Sequence, residues 1–218
     1  MTSAMTPAPI IIVAIRVILL IEAVIAALAQ SWPQLLIALA TLGLTFLPDR
    51  AARFMGVRLP RSFLAVIAAF VFATLFLGEV RDYYERFWWW DIAVHFGSAV
   101  SIGVFAFLAI FMLFEGDRYA APPWAVAFLS SCVALAIGAV WEIFEFAMDQ
   151  SFGLNMQKSG LVDTMWDLIV DTLGAALAGI AGFAYLKGVQ LGLIDEFVGM
   201  NRRLYGRIRR RPREGSRD

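Results

Sequence analysis

The chain has 218 residues, 61% of them hydrophobic and 17% charged, with 18 Lys+Arg balancing 18 Asp+Glu. Soluble domains run nearer half apolar and a quarter charged, so an ordinary soluble domain is excluded, and the neutral balance offers no overall basic surface for nucleic acid. A single cysteine, Cys132, excludes an intramolecular disulfide and a multi-cysteine metal site.

Long apolar runs occur, in chain order, at about residues 9–29, 33–47, 62–77, 91–114, 124–149 and 163–186. All approach the roughly 20 residues that cross the hydrocarbon, except the second, which is short. Backbone groups in lipid must be satisfied within their own segment, so the runs predict helices rather than strands. The first run does not read as a cleaved signal peptide, because its start lacks basic residues and Arg16 and Glu22 interrupt it. Turn residues separate the runs at Ser31-Trp32-Pro33, Pro48-Asp49, Pro122-Pro123 and Ser159-Gly160. The expected architecture is therefore all-α: a polytopic bundle of six transmembrane helices over residues 1–187, followed by a cytoplasmic amphipathic and polybasic tail over 188–218.

Basic residues orient the chain. Arg50, Arg53, Arg58 and Arg61 crowd the second loop, Arg118 lies in the fourth, and Lys187 and eight further arginines follow the sixth span. The other loops hold only Arg81, Arg86 and Lys158. The positive-inside rule then places both termini in the cytoplasm. In the tail, Leu191, Ile194, Phe197 and Val198 precede the arginine cluster. That pattern reads as an interfacial helix with a basic end on an anionic leaflet, or as a topology anchor alone. No aromatic stacking pattern accompanies the arginines, so RNA is not an expected partner.

Acidic residues fall where a membrane protein should have none. Asp91 opens the fourth span, and His95, the only histidine, follows one turn later. Glu142, Glu145 and Asp149 share one face of the fifth span, and Asp163, Asp167 and Asp171 share one face of the sixth. With a rise of about 1.5 Å per residue, Asp91, Asp149 and Asp163 lie near the outer rim. His95, Glu145 and Asp167 lie one turn in, with Glu142 and Asp171 deeper still. Each carboxylate costs roughly 2.5–3.5 kcal/mol to insert even on the lenient scale, so convergence on one membrane face implies a use.

Two uses fit the chemistry. Carboxylate oxygens with one imidazole suit Mg, Mn, Fe or Zn, with Asp91, His95, Glu145 and Asp167 as metal ligands and Asp149 and Asp163 as additional pocket residues. Glu142 and Asp171 are then the candidate catalytic acid/base groups. Alternatively, the same carboxylates form a proton or cation path, for which six spans would need a homodimer to supply a second gate. A purely structural polar network beside Trp141 and Trp166 is the third reading.

Other features have plainer readings. Gly97, Ser98, Ser101, Gly103, Ser130, Ser131, Gly138, Gly174, Ala178, Gly179 and Gly182 allow close helix packing. Trp88-Trp89-Trp90 forms an aromatic belt, or ends a short interfacial helix leading a lipid headgroup inward. Arg16 snorkels inward, while Glu22 reaches the pocket or another helix.

The combination Asp91-x-x-x-His95, Trp141-Glu142-x-x-Glu145 and Asp163-Thr164-x-Trp166-Asp167-x-x-x-Asp171-x-x-Gly174-Ala175 resembles the YjdF-like membrane proteins, which share a more distant similarity with the VanZ-like proteins. The resemblance covers about residues 90–182; the first three spans match in hydropathy alone. Gly160-Leu161-Val162 departs from the Gly-Asp-Pro-Trp approach of some members, which puts a substrate contact from that loop in doubt. The resemblance implies a six-helix protein of the bacterial inner membrane. Through the VanZ-like link to glycopeptide resistance, it points toward envelope lipids. A metal-assisted reaction on a lipid or lipid-linked substrate is the leading expectation, with transport and a structural or accessory role as alternatives.

Overall fold

A computed structural model describes residues 7–114 and 121–208, with side chains as far as Asn201. The side chains of Arg118 and of the arginines from Arg202 onward lie outside the described residues. Among the described residues the structure is helical without strands, and six helices are long and apolar enough to cross a membrane. The described chain divides into two compact units, residues 7–90 with Gly192–Asn201 and a second built on Asp91–Leu191.

In the first unit, α1 (Pro7–Leu28) is rich in β-branched residues that have little helix propensity in water. An apolar environment reverses that preference, because a helix satisfies every backbone group locally. The chain turns at Gln30, at φ 55°, and α2 (Trp32–Leu44) starts with Pro33 in its first turn, where no amide donor is needed. The run expected to be short is short as a straight helix. It turns at Thr45 and Phe46 and resumes as the amphipathic α3 (Leu47–Phe54), where Asp49 and Arg53 pair at 2.6 Å. The third span is longer than its apolar run predicts: α4 (Arg61–Val71) passes into a π-helical stretch, Phe72–Val80.

Leu19, Ala68 and Phe76 are almost fully buried between α1 and the third span, with Ile12, Ile15 and Ala65 around them. Arg16, expected to snorkel inward, binds the turn after α2: its Nε donates to Thr45 Oγ1 (3.1 Å), a terminal nitrogen donates to the Thr45 carbonyl, and the guanidinium lies 3.6 Å from the Phe46 ring centre. Glu22 pairs with Arg81, just past the third span, so of the two expected destinations it takes the one outside the acidic cluster. After Asp82, α5 (Tyr83–Arg86) is a single turn within the aromatic segment, where Tyr83 packs edge-on against Phe87 and Trp90.

The second unit consists of α6 (Trp90–Phe114), α7 (Pro123–Phe152) and α8 (Leu161–Leu186). Small residues set their spacing. A β-carbon on Gly174 would lie 2.8 Å from Ala99 Cβ and from the Phe96 carbonyl, and one on Gly103 2.5 Å from Ala178 Cβ. Ser131 donates to the Ala175 carbonyl at 2.9 Å, tying α7 to α8. Gly97 is different: it has open space around its α-carbon and makes no close approach. Phe107, wholly buried, packs edge-on against Tyr185 toward the far end of α6 and α8.

The last helix, α9 (Gly192–Ile208), returns to the first unit. Ile194 and Phe197 are buried there, and Phe197 contacts Phe63 with ring centres 5.7 Å apart. Asn201 binds both backbone groups of Arg58, accepting from its amide and donating to its carbonyl, each at 2.8 Å. The tail's apolar stripe is therefore partly used for docking on the protein, while Leu193 and Met200 remain exposed.

Candidate functional site

The site is built at one end of the three-helix unit. Asp91 and His95, four residues apart, stand on the first two turns of α6. Glu142 stands two-thirds of the way along α7, and Asp167 and Asp171 on successive turns of α8. The i,i+4 spacing stacks each same-helix pair on one face. The glycine contacts between helices bring those faces within side-chain reach.

His95 is the centre of the cluster. Its Nε2 lies 3.8 Å from Asp91 Oδ1 and 3.9 Å from Glu142 Oε1, and its Nδ1 lies 3.5 Å from Asp171 Oδ1. Asp91, His95 and Asp167 each offer a ligand atom within 4.8 Å of the other two. Metal bonds of about 2.0–2.2 Å place neighbouring ligand atoms about 3–4 Å apart, so modest side-chain rotation brings these three to bonding separation. One imidazole with hard oxygen donors fits Mg, Mn, Fe or Zn and does not favour a soft metal.

Burial sharpens the case for a cation. Glu142 is 3% exposed and Asp171 1%, and their carboxylates approach the His95 nitrogens only to 3.9 and 3.5 Å. Carboxylates held this way are costly unless positive charge neutralises them. Asp171 also occupies a notch on α7: a β-carbon at Gly138 would collide with its carboxylate.

The remaining expected residues take other positions. Glu145 is half-buried, and its Oε1 accepts from the Trp141 indole on its own helix at 2.9 Å; it is outside the three-residue ligand group. Asp149 turns away to the loop after α7, where its two oxygens accept from the amides of Met156 (2.8 Å) and Gln157 (2.9 Å). Asp163 lies in the first turn of α8, half-buried and in electrostatic reach of Asp91 and Lys158. Trp141 and Trp166, expected beside the network, are about half exposed.

Sequence reading placed a turn at Ser159-Gly160 but missed that the loop reaches the site. The loop leaves α7 through Gly153 (φ 67°) and enters α8 through Gly160 (φ 63°), left-handed positions that suit glycine. Between them, Gln157 donates to the Thr164 hydroxyl at 2.6 Å, and Lys158 places its ammonium 3.5 Å from Asp91 Oδ2. Lys158 is one of two lysines in the chain. Its isolation on the side poor in basic residues was the available signal.

Fold and site together define a multi-pass helical membrane protein with a buried Asp/His cluster between three of its helices. Residues 9–188 match the family described as "Predicted membrane protein (DUF2238)", and the chain belongs to that family. An uncharacterised protein of Thermotoga maritima is 28% identical over 116 residues, 53% of this chain and 59% of the relative, so the match spans little more than half of that relative's length. No solved structure matches the chain.

Proposed function

We propose that the chain is an intramembrane metalloprotein in which Asp91, His95 and Asp167 hold one divalent ion, and that the ion serves a hydrolytic or transfer reaction on an envelope lipid or lipid-linked substrate. The observation carrying this reading is the three-residue ligand group, with His95 and Asp167 buried and Asp91 partly exposed, flanked by the two buried carboxylates of Glu142 and Asp171. The excess of basic residues in the opposite loops supports a site opening on the outer face of a bacterial inner membrane. The kinship with YjdF-like and, more distantly, VanZ-like proteins belongs to this proposal and is what turns it toward envelope lipids.

The ion would polarise a phosphoryl or ester oxygen. The chain's own residues divide the remaining work. Asp171, whose Oδ1 lies 3.5 Å from Nδ1, would hold the proton on that nitrogen and leave the Nε2 lone pair, on the side of Asp91, for the ion. Glu142, on the same side as Nε2, is placed to take a proton from an attacking water and return it to the leaving oxygen. Transport through the same carboxylates has less support. Ser98, Ser101 and Ser130, further along the helices, donate to carbonyls of their own helices and do not extend a polar path.

Metal analysis and titration of the purified protein test the proposal. The expected result is one divalent ion per chain, with affinity lowered by at least tenfold in Asp91→Asn and Asp167→Asn. Asp171→Asn should weaken it roughly ten- to a hundredfold, as loss of a histidine-orienting partner does. A wild-type protein that takes up no divalent ion, or variants that bind it equally well, would overturn it. Retention of metal without turnover of any lipid extract would leave the metal site standing and remove the enzymatic part.

A further inference from the structure

The site carries its own cation. Lys158 Nζ lies 3.5 Å from Asp91 Oδ2, with both side chains partly shielded at 28% and 22% exposure. This placement is built by the loop: the Asp149 carboxylate fixes the two amides immediately before Lys158, and Gln157 clips the same stretch to Thr164 on α8. The Gly160 amide donates to the Gln157 carbonyl at 3.0 Å, and the Thr164 amide to the Gly160 carbonyl at 3.2 Å, closing the turn on the first turn of α8. Asp91 thus faces two cation positions, with His95 Nε2 near one oxygen and Lys158 near the other.

From this geometry, and resting on the metal-site reading above, we infer that Lys158 is a tethered counter-ion that competes with divalent metal for Asp91 and is displaced when the metal binds. A metal ion needs the Asp91 carboxylate oriented toward His95 and Asp167, and its positive charge repels an ammonium at hydrogen-bonding range. Two acidic groups face Lys158: Asp91 on α6 and Asp163 on α8. Without metal the ammonium offsets part of that charge. With metal bound its partner is neutralised, and the ammonium moves outward along a side chain already partly exposed. Lys158 is then a positioning residue that sets how much metal is needed to load the site.

Two measurements on the full-length protein test the inference. In titrations with Mn²⁺ and Zn²⁺, Lys158→Met should bind roughly three- to tenfold more tightly than wild type, because a competing partly exposed ion pair is removed. Lys158→Arg, which keeps the charge, should stay near wild type. In wild type, acylation of the Lys158 amine by an amine-reactive reagent, read by mass spectrometry, should rise when metal is added, while Lys187 serves as the unresponsive control. Metal bound equally by wild type and Lys158→Met, or Lys158 labelling unaltered by bound metal, would overturn the inference and leave the metal site intact. No metal bound by either protein would overturn both.

Discussion

At the residue scale, Gly138 and Asp171 act as a pair. Asp171 is nearly inaccessible and fills space on α7 that any side chain at position 138 would take. Gly138→Ala gains up to about 1 kcal/mol of helix propensity, yet overpacking costs about 1–3 kcal/mol, so a net loss of thermal stability is expected in detergent. Because Asp171 faces His95 Nδ1, the same change should also weaken metal binding, a readout that a packing defect elsewhere on α7 would not move. Asp171 and Glu142 were both identifiable in sequence as deep members of an acidic face. Their division of labour was not, since it depends on which imidazole nitrogen each one faces.

At the element scale, two short connections matter more than their composition suggests. The loop between α7 and α8 is held by Asp149, whose charge-assisted bonds to the Met156 and Gln157 amides are worth about 1.5–3 kcal/mol each when fully formed. Asp149→Ala should therefore raise amide hydrogen exchange at these two residues while α7 and α8 stay protected. If Asp149 instead belonged to the pocket, the loop would be unaffected. The second connection is α9. Asn201 satisfies both backbone groups of Arg58 and also donates to the Phe197 carbonyl at 2.8 Å, beside the buried Ile194 and Phe197. Asn201→Ala leaves the Arg58 amide without that partner at a cost of about 1–3 kcal/mol, and limited proteolysis near Leu191 should become faster. An unaltered cleavage rate would mean that apolar contacts alone hold α9.

At the scale of the whole molecule, six helices and an uneven charge distribution give a direct topological expectation. Lys158 and Lys187 flank α8, whose 26 residues span about 39 Å at 1.5 Å per residue. An impermeant amine reagent applied in the presence of divalent metal to sealed right-side-out vesicles should modify Lys158 and spare Lys187. The reverse pattern would invert the membrane orientation, and equal modification of both would refute a membrane crossing by α8. The formal net charge of zero thus conceals a gathering of basic residues in alternate loops, and that bias is the feature that orients a polytopic chain.

The helical class, the six apolar spans and the acidic positions on three of them were legible from the sequence alone. Hydropathy, the need to satisfy backbone in lipid and the 3.6-residue period act through neighbouring residues. The structure adds detail where the backbone leaves regular α-geometry: the turn at Thr45 and Phe46 that ends the short second run, and the π-helical continuation of the third. What only the tertiary structure decided is which acids meet. Asp149 and Glu145 share a helical face with Glu142, yet one binds loop amides and the other an indole, while Asp91, His95 and Asp167 converge from two helices and Lys158 arrives from a loop. Helical periodicity assigns a residue to a face. The identity of the partner across that face depends on helix approach at Gly103 and Gly174, and on a loop conformation fixed by distant hydrogen bonds.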